Sequence, residues 1–221
     1  MAEIRFRSGG DPMRVGTVYC IGRNYVEHAR ELNNPVPKKP MVFLKPASSI
    51  IHSGDTVVLP PQSSDVHHEV EVVVVFGKGG RHIPESDALS HVAGYAVGID
   101  LTARDIQSVA KEKGHPWSVA KGFATFAPLS EALTPAEAGG PGDLSLSLRV
   151  NGDIRQQGGT RDLIFSIPTL IAYLSGIFQL EAGDLIYTGT PEGVAALSAG
   201  DRMVAELNGG AVTMEVAVAA G

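Results

Sequence analysis

One stretch constrains this chain more than any other: His67-His68-Glu69-Val70-Glu71, followed by Val72 to Val75 and Phe76. Four consecutive valines and a phenylalanine read as a β-strand buried on both faces. Period two then sets Glu69, Glu71, Val73 and Val75 on one face, with the two glutamate Cα atoms about 6.6 Å apart at the usual rise per residue. Two carboxylates therefore enter a largely apolar strand side by side. Burying like charges this close is costly unless one is protonated or a cation neutralises both. A hard divalent ion with oxygen ligands resolves the conflict. The competing reading puts the pair at the exposed start of the strand, where both are simply solvated. His67 and His68 flank the pair as further potential ligands, although a His beside a strand start is more often a hydrogen-bonded structural residue.

The rest of the composition narrows the class. A chain of 221 residues, with 43% hydrophobic and 19% charged residues, has the length of one large globular domain. Eighteen Lys and Arg stand against 24 Asp and Glu, a formal charge of −6, and no basic run forms the stripe that a phosphate backbone requires. Nucleic acid is excluded as the expected partner. Cys20 is the single cysteine, so an intrachain disulfide and a Cys-based metal site are both ruled out, and a reducing cytoplasm is the expected location. The longest apolar stretches, Val70 to Phe76 and Ile167 to Ile177, fall short of the roughly 20 residues that span a bilayer. Residues 1–14 have scattered charges and no apolar core of a signal peptide. They read as a short arm before a domain covering 15–221.

Turn chemistry points to a sheet-rich body. Ser53-Gly54-Asp55, Ala182-Gly183-Asp184 and Ala199-Gly200-Asp201 each precede a short apolar run, as a Gly-centred turn launching a strand would. Leu144, Leu146, Leu148 and Val150 alternate into Asn151-Gly152, and a second run turns at Asn208-Gly209-Gly210; both predict hairpins. Helices look few. One is expected from Thr102 to about Lys113, with Thr102 and Asp105 as its capping pair, Ile106, Val109 and Ala110 as its apolar residues and Gly114 as its stop. A second should begin near Ser166 with Pro168 in its first turn, and Tyr25 to Leu32 forms a short third. A Pro-rich connection covers residues 33–40.

Four further places carry candidate chemistry. Asp100 ends an apolar run just before the Thr102 helix, where it serves either as a third acid for the ion or as a helix cap. His28 and Glu31 lie three apart on a short helix, so the carboxylate can orient the imidazole as a general base; the bland reading is an exposed, solvated pair. Lys121 has aromatic and small apolar neighbours, which fits a partly buried lysine of lowered pKa as well as it fits a snorkelling one. The loop of residues 188–194 suits backbone amides and a hydroxyl offered to an anion, but lacks the lysine of a phosphate-binding P-loop.

Taken together, the blocks IGRNYVEHARE, FLKPASS, HHEVEVVVV, GIDLTARDIQ, KGHPWSVAKGF, FSIPTLIAYLS and GDLIYTGTPEGV resemble the fumarylacetoacetate hydrolase family, especially its short acylpyruvate hydrolases and oxaloacetate decarboxylases. The resemblance implies an α+β fold, a mixed β-sandwich roll with few short helices, and a homodimer. It implies Glu69, Glu71 and Asp100 as ligands of Mg²⁺ or Mn²⁺, and His28 with Glu31 as a water-activating dyad on a mobile lid. Lys121 becomes a proton donor or electrostatic stabiliser. Arg23, Arg104, Gln107 and Thr190 become contacts to a small 2-oxo acid. Long members carry an additional N-terminal domain that this chain is expected to lack, and an extra acidic ligand near the position of Ile21 here. An ion left open to two or three waters is therefore implied. The implied reaction is C–C cleavage of a 3-acylpyruvate, such as fumarylpyruvate or acetylpyruvate, to pyruvate and a carboxylic acid. Decarboxylation or keto–enol tautomerisation of oxaloacetate is the alternative. A binding protein without catalysis would have no use for the base.

Overall fold

The computed structural model describes residues 2–31 and 35–221. In chain order, the strands of its two large sheets are β1 (Val18–Gly22), β2 (Met41–Lys45), β3 (Thr56–Leu59), β4 (Val70–Phe76) and β5 (Val92–Ile99), then β6 (Ser145–Val150), β7 (Asp153–Gly159), β8 (Leu185–Tyr187), β9 (Arg202–Leu207) and β10 (Val212–Ala220). The three Gly-Asp turns launch β3, β8 and β9 as expected, and all three are built alike. Gly54, Gly183 and Gly200 take φ of 92°, 90° and 97°, a conformation that side chains resist. The aspartate that follows accepts the backbone N–H three residues earlier: Asp55 from His52, Asp184 from Glu181 and Asp201 from Ser198, each at 2.8 Å.

Both hairpins form where the sequence places them. Asn151 (φ 54°) and Gly152 (φ 89°) join β6 to β7, and the turn from Asn208 to Gly210 joins β9 to β10. Positive φ at both central residues suits the right-handed twist of the strands they connect. These four strands and β3 make an outer sheet in the order β7-β6-β9-β10-β3, antiparallel except for the last pair. The inner sheet runs β2-β1-β8-β4-β5, antiparallel except for β1 with β8.

The inner sheet is covered on both faces. Val70, Val72, Val74 and Phe76 of β4 share the main core with Leu146, Leu148, Met203 and Met214 of the outer sheet. Val73 and Val75 pack the other way, with Cys20, Leu185 and Tyr187. All seven residues of β4 are buried, so the two-sided reading of the valine run holds. Residues 3–4 pair with 13–14, and Ile4 enters the second cluster, so the N-terminal segment is folded onto the body.

Among the described residues there are five α-helices: α1 (Val26–Glu31), α2 (Arg104–Lys113), α3 (Ser118–Lys121), α4 (Pro135–Ala138) and α5 (Ile167–Ile177). Helix α5 has Ser166 as its N-cap and Pro168 in its first turn, as expected. Helix α1 matches the expected short helix, while Leu32 and residues 33–34 of the Pro-rich connection lie outside the described residues. Helix α2 departs from expectation at its start. Thr102 and Ala103 pair with His67 and Val66 as a short ladder, which delays the helix to Arg104. Asp105 is drawn instead to the Ser63 hydroxyl and the Ser64 N–H. Gly114 ends the helix at φ 66° as anticipated, but Val109 is 49% exposed. The architecture is the expected α+β fold of mixed sheets with few short helices. No described helix is long and apolar enough to cross a membrane.

Candidate metal centre

Adjacent strands of the inner sheet bring the three acids together. Glu69 sits at the break between Val66–His68 and β4, Glu71 lies within β4, and Asp100 follows β5 directly. Glu71 is paired with Gly98, and the Asp100 N–H donates to the Glu69 carbonyl at 2.8 Å. One oxygen from each carboxylate falls within 4.8 Å of the others, and all three residues are buried. A Cβ at Gly98 would stand 2.6 Å from Tyr187 Cε1 and 2.8 Å from Val73 Cγ2, so only glycine allows β5 to lie this close.

Cations surround two of these acids and leave the third. Arg104 Nη2 reaches Glu69 Oε1 at 2.6 Å, and Lys121 Nζ lies 2.9 Å from Glu69 Oε2 and 2.6 Å from Asp100 Oδ2. Burial alone would push Glu69 up, but Lys121 and Arg104 outweigh it and hold the carboxyl well below its usual range. Among the described residues Glu71 has no cation within 4.0 Å. Burial, with Asp100 and Glu69 as like charges beside it, pushes its carboxyl well up. The N–H of Gly189 at 2.7 Å eases that only in part. The loop of residues 188–194 does offer backbone amides, and the chain's own Glu71 accepts the one from Gly189.

Lys121 is buried at 2% exposure, which removes the snorkelling reading. Its expected lowered pKa is also corrected. Burial pulls it down, but Asp100 and Glu69 more than reverse this and raise it. Lys45 has no place in the sequence reading, yet its fully buried ammonium is 2.7 Å from Asp100 Oδ1. Its three hydrogens go to the carbonyls of Leu101, Lys121 and Phe126. Asp100 Oδ1 thus gains a charge partner but accepts no hydrogen bond. A buried carboxylate oxygen with a free lone pair, within an all-oxygen group of three, fits a hard divalent cation such as Mg²⁺ or Mn²⁺.

The other expected site residues converge on the same corner. His28 Nδ1 is 3.3 Å from Glu31 Oε2, and Glu31 Oε1 accepts the Gly193 N–H at 3.0 Å, which ties α1 to the 188–194 loop. Because the carboxylate only accepts, His28 carries its hydrogen on Nδ1 and keeps Nε2 as the acceptor. Burial pulls its pKa down, against Glu69 and Glu31. Arg104 Nη1 donates to Gln107 Oε1 at 2.8 Å one turn along α2. A cavity of about 30 Å³, with room for little more than water, is bordered by Arg23, His28, Glu69, Arg104, Gln107 and Lys121. Thr190 does not border it; its hydroxyl oxygen accepts from Gln156 at 2.8 Å. A larger cleft of about 410 Å³ beside Tyr25, Glu27 and Glu192 contains none of the expected site residues.

Gln156, also missed, links the site to the outer sheet. Its Oε1 accepts the Val70 N–H at 3.0 Å and faces His68 Nδ1 at 2.9 Å, while Nε2 donates to Thr190 Oγ1 and the Pro191 carbonyl. One amide therefore holds the segment bearing Glu69 against the loop bearing Gly189. His68 is the structural residue the sequence favours, and His67 pairs with Asp65 at 2.9 Å.

Residues 17–219 match the family described as fumarylacetoacetate (FAA) hydrolase C-terminal. A mitochondrial oxaloacetate tautomerase of Arabidopsis thaliana is 48% identical over 192 residues, 87% of this chain and 86% of that protein. The mouse mitochondrial oxaloacetate tautomerase is 44% identical over 87% of each. Among solved structures, fumarylpyruvate hydrolase from Pseudomonas aeruginosa, in complex with Mn²⁺ and pyruvate, superposes with a TM-score of 0.92 at 39% identity. That alignment covers 99% of this chain and 96% of the other.

Proposed function

The chain belongs to the fumarylacetoacetate hydrolase family, and on that premise we propose that it hydrolyses a C–C bond of a 3-acylpyruvate, releasing pyruvate and a carboxylic acid. The observation that carries this reading is that His28, held by Glu31, borders the same small cavity as Glu69 of the buried acid group. Glu69, Glu71 and Asp100 would hold Mg²⁺ or Mn²⁺, which when bound supplies a Lewis acid for the keto-acid end of the substrate. His28 is neutral at pH 7 because burial lowers its pKa, so Nε2 is free to take a proton from water. The hydroxide attacks the distal acyl carbonyl, and the electrons of the breaking C–C bond pass to the pyruvate enolate. Lys121, an ammonium lodged between Glu69 and Asp100, stabilises that developing charge. The proton taken from water is returned to the enolate carbon, giving pyruvate. Arg104 and Gln107, which border the cavity, orient the keto-acid end.

The Pseudomonas hydrolase with Mn²⁺ and pyruvate supports this reading. Keto–enol tautomerisation of oxaloacetate is a second reading, supported by the plant and mouse relatives. It uses His28 to move a proton on carbon and needs no water; decarboxylation of oxaloacetate would share its enolate. We further propose one catalytic domain over residues 15–221 and a cytoplasmic location, the latter supported by a lone buried thiol at Cys20. A homodimer is supported by the exposed apolar side chains of Leu44, Val109 and Val119.

The test is turnover of fumarylpyruvate, acetylpyruvate and oxaloacetate with Mg²⁺. His28→Ala should lower kcat for acylpyruvate cleavage by about 10²- to 10⁴-fold, the usual worth of a general base, and excess EDTA should stop the reaction. Full activity in EDTA would end the metal reading, and wild-type cleavage by Glu31→Gln would end the dyad.

A further inference from the structure

The cavity beside the acids is bordered by four cations, Arg23, Arg104, Lys111 and Lys121, against the single carboxylate of Glu69. Two of the four are already engaged: Arg104 and Lys121 each lie within 3 Å of a Glu69 oxygen. Arg23 and Lys111 form no ion pair within 4.0 Å among the described residues. Lys111 points its ammonium over the Trp117 ring, 5.4 Å from the centroid, and Trp117 meets Phe43 of the cavity wall in a tilted contact, 5.6 Å between centroids. Lys111 lies on the exposed side of α2, and partial burial, with Arg104 and Arg23 as like charges, pulls its pKa down to about 8. Arg23 holds a left-handed backbone, φ 60°, which a non-glycine residue adopts at a cost. In a chain of net charge −6, these two cations border one cavity without a protein anion to meet them.

We propose that Arg23 and Lys111 form a subsite for a second carboxylate, at the end of the substrate away from the 2-oxo acid. The chain would then select a 2-oxo diacid over a 2-oxo acid with a neutral acyl group. This rests on the acylpyruvate reading and divides its labour. Arg104, Gln107 and Lys121 stand over the acids and serve the keto-acid end, while Arg23 and Lys111 read the far end. Either cation can meet a carboxylate with a charge-assisted hydrogen bond, and Arg23 can do so with two.

The test pairs substrates that differ at the far end. Lys111→Met should raise KM for fumarylpyruvate about 10- to 100-fold, the worth of one hydrogen bond to a charged group. Both kcat and the KM for acetylpyruvate should stay within about twofold, and Lys111→Arg should restore the loss. Arg23→Gln should show the same split. Equal losses on both substrates, or none on fumarylpyruvate, would overturn the subsite. A second measurement is independent of turnover, because Trp117 is the only tryptophan and lies beside Lys111. Its fluorescence, titrated in Mg²⁺ with 2-oxoadipate and with 2-oxohexanoate, compares a terminal carboxylate with a methyl on the same six-carbon chain. Wild type should bind the diacid at least tenfold tighter, and Lys111→Met should erase the difference. No preference in wild type would sink the subsite. Should wild type cleave neither acylpyruvate, the hydrolase reading falls while this titration still decides the subsite.

Discussion

In the outer sheet, β9 and β10 alternate: Met203, Ala205 and Leu207 turn inward with Val212, Met214 and Val216, while Arg202 and Thr213 face water. In the inner sheet, β4 has no outward face, and all seven of its residues are buried. Water reaches the outward side chains of β9 and β10, so charge there needs no buried partner. The inner sheet has no such relief. Glu69, Glu71 and Asp100 at its end draw in Arg104, Lys121 and Lys45 from three other segments. The same density that makes the inner sheet a firm support thus makes its charges interdependent.

The strongest test of that interdependence is an unequal pair of substitutions. Glu69→Gln and Glu71→Gln should each lower turnover by on the order of 10³-fold, through loss of an ion ligand worth several kcal/mol. Their effects on the Tm of metal-free protein should have opposite signs. Glu69→Gln strips Arg104 of its counter-charge and Lys121 of one of its two, and should lower Tm, while Glu71→Gln relieves like-charge crowding, keeps an oxygen for the Gly189 N–H and should raise it. A fall in Tm for both would mean that the acids are not electrostatically distinct.

Next comes Lys45→Met. It leaves Asp100 without one charge partner and three buried carbonyls without a donor, and should cost about 3 to 5 kcal/mol in urea unfolding. A loss below 1 kcal/mol would show that water reaches that ammonium. The smallest contrast compares packing alone. Gly98→Ala drives a methyl into Tyr187 and Val73 and should cost about 1 to 3 kcal/mol, whereas Thr213→Val on the wet face of β10 should stay within about 0.5 kcal/mol. Similar losses at both positions would erase the distinction between the sheets.

The outer sheet was also the easier to read. Its Gly-Asp and Asn-Gly turns are local, and each turn determines the register of the strands beside it. The acid pair was readable because period two does not depend on what lies opposite. Asp100 and Lys121 could be raised as candidates from their own segments, but each kept a bland alternative there, since neither signals its partner. Lys45 and Gln156 were invisible for a stronger reason. Lys45 is justified by Asp100 and by carbonyls 56 to 81 residues away, and Gln156 by Val70, 86 residues away. A lysine closing an apolar run just before Pro46 is at most a faint signal of burial. The start of α2 was misread because Thr102 and Asp105 make a plausible cap until the strand at Val66–His68 claims one and the turn at Ser63 the other.

Gln156 has one last consequence. The Val70 N–H can only donate and the Pro191 carbonyl can only accept, so the amide between them has a single orientation. His68, facing the oxygen of that amide, must then carry its ring hydrogen on Nδ1, and burial keeps the imidazole neutral by lowering its pKa. Such a hydrogen is sealed off from exchange with solvent. It should give a persistent, far-shifted imidazole resonance in water, and its rate of loss in deuterium oxide would time how often the two sheets part, with no substrate present.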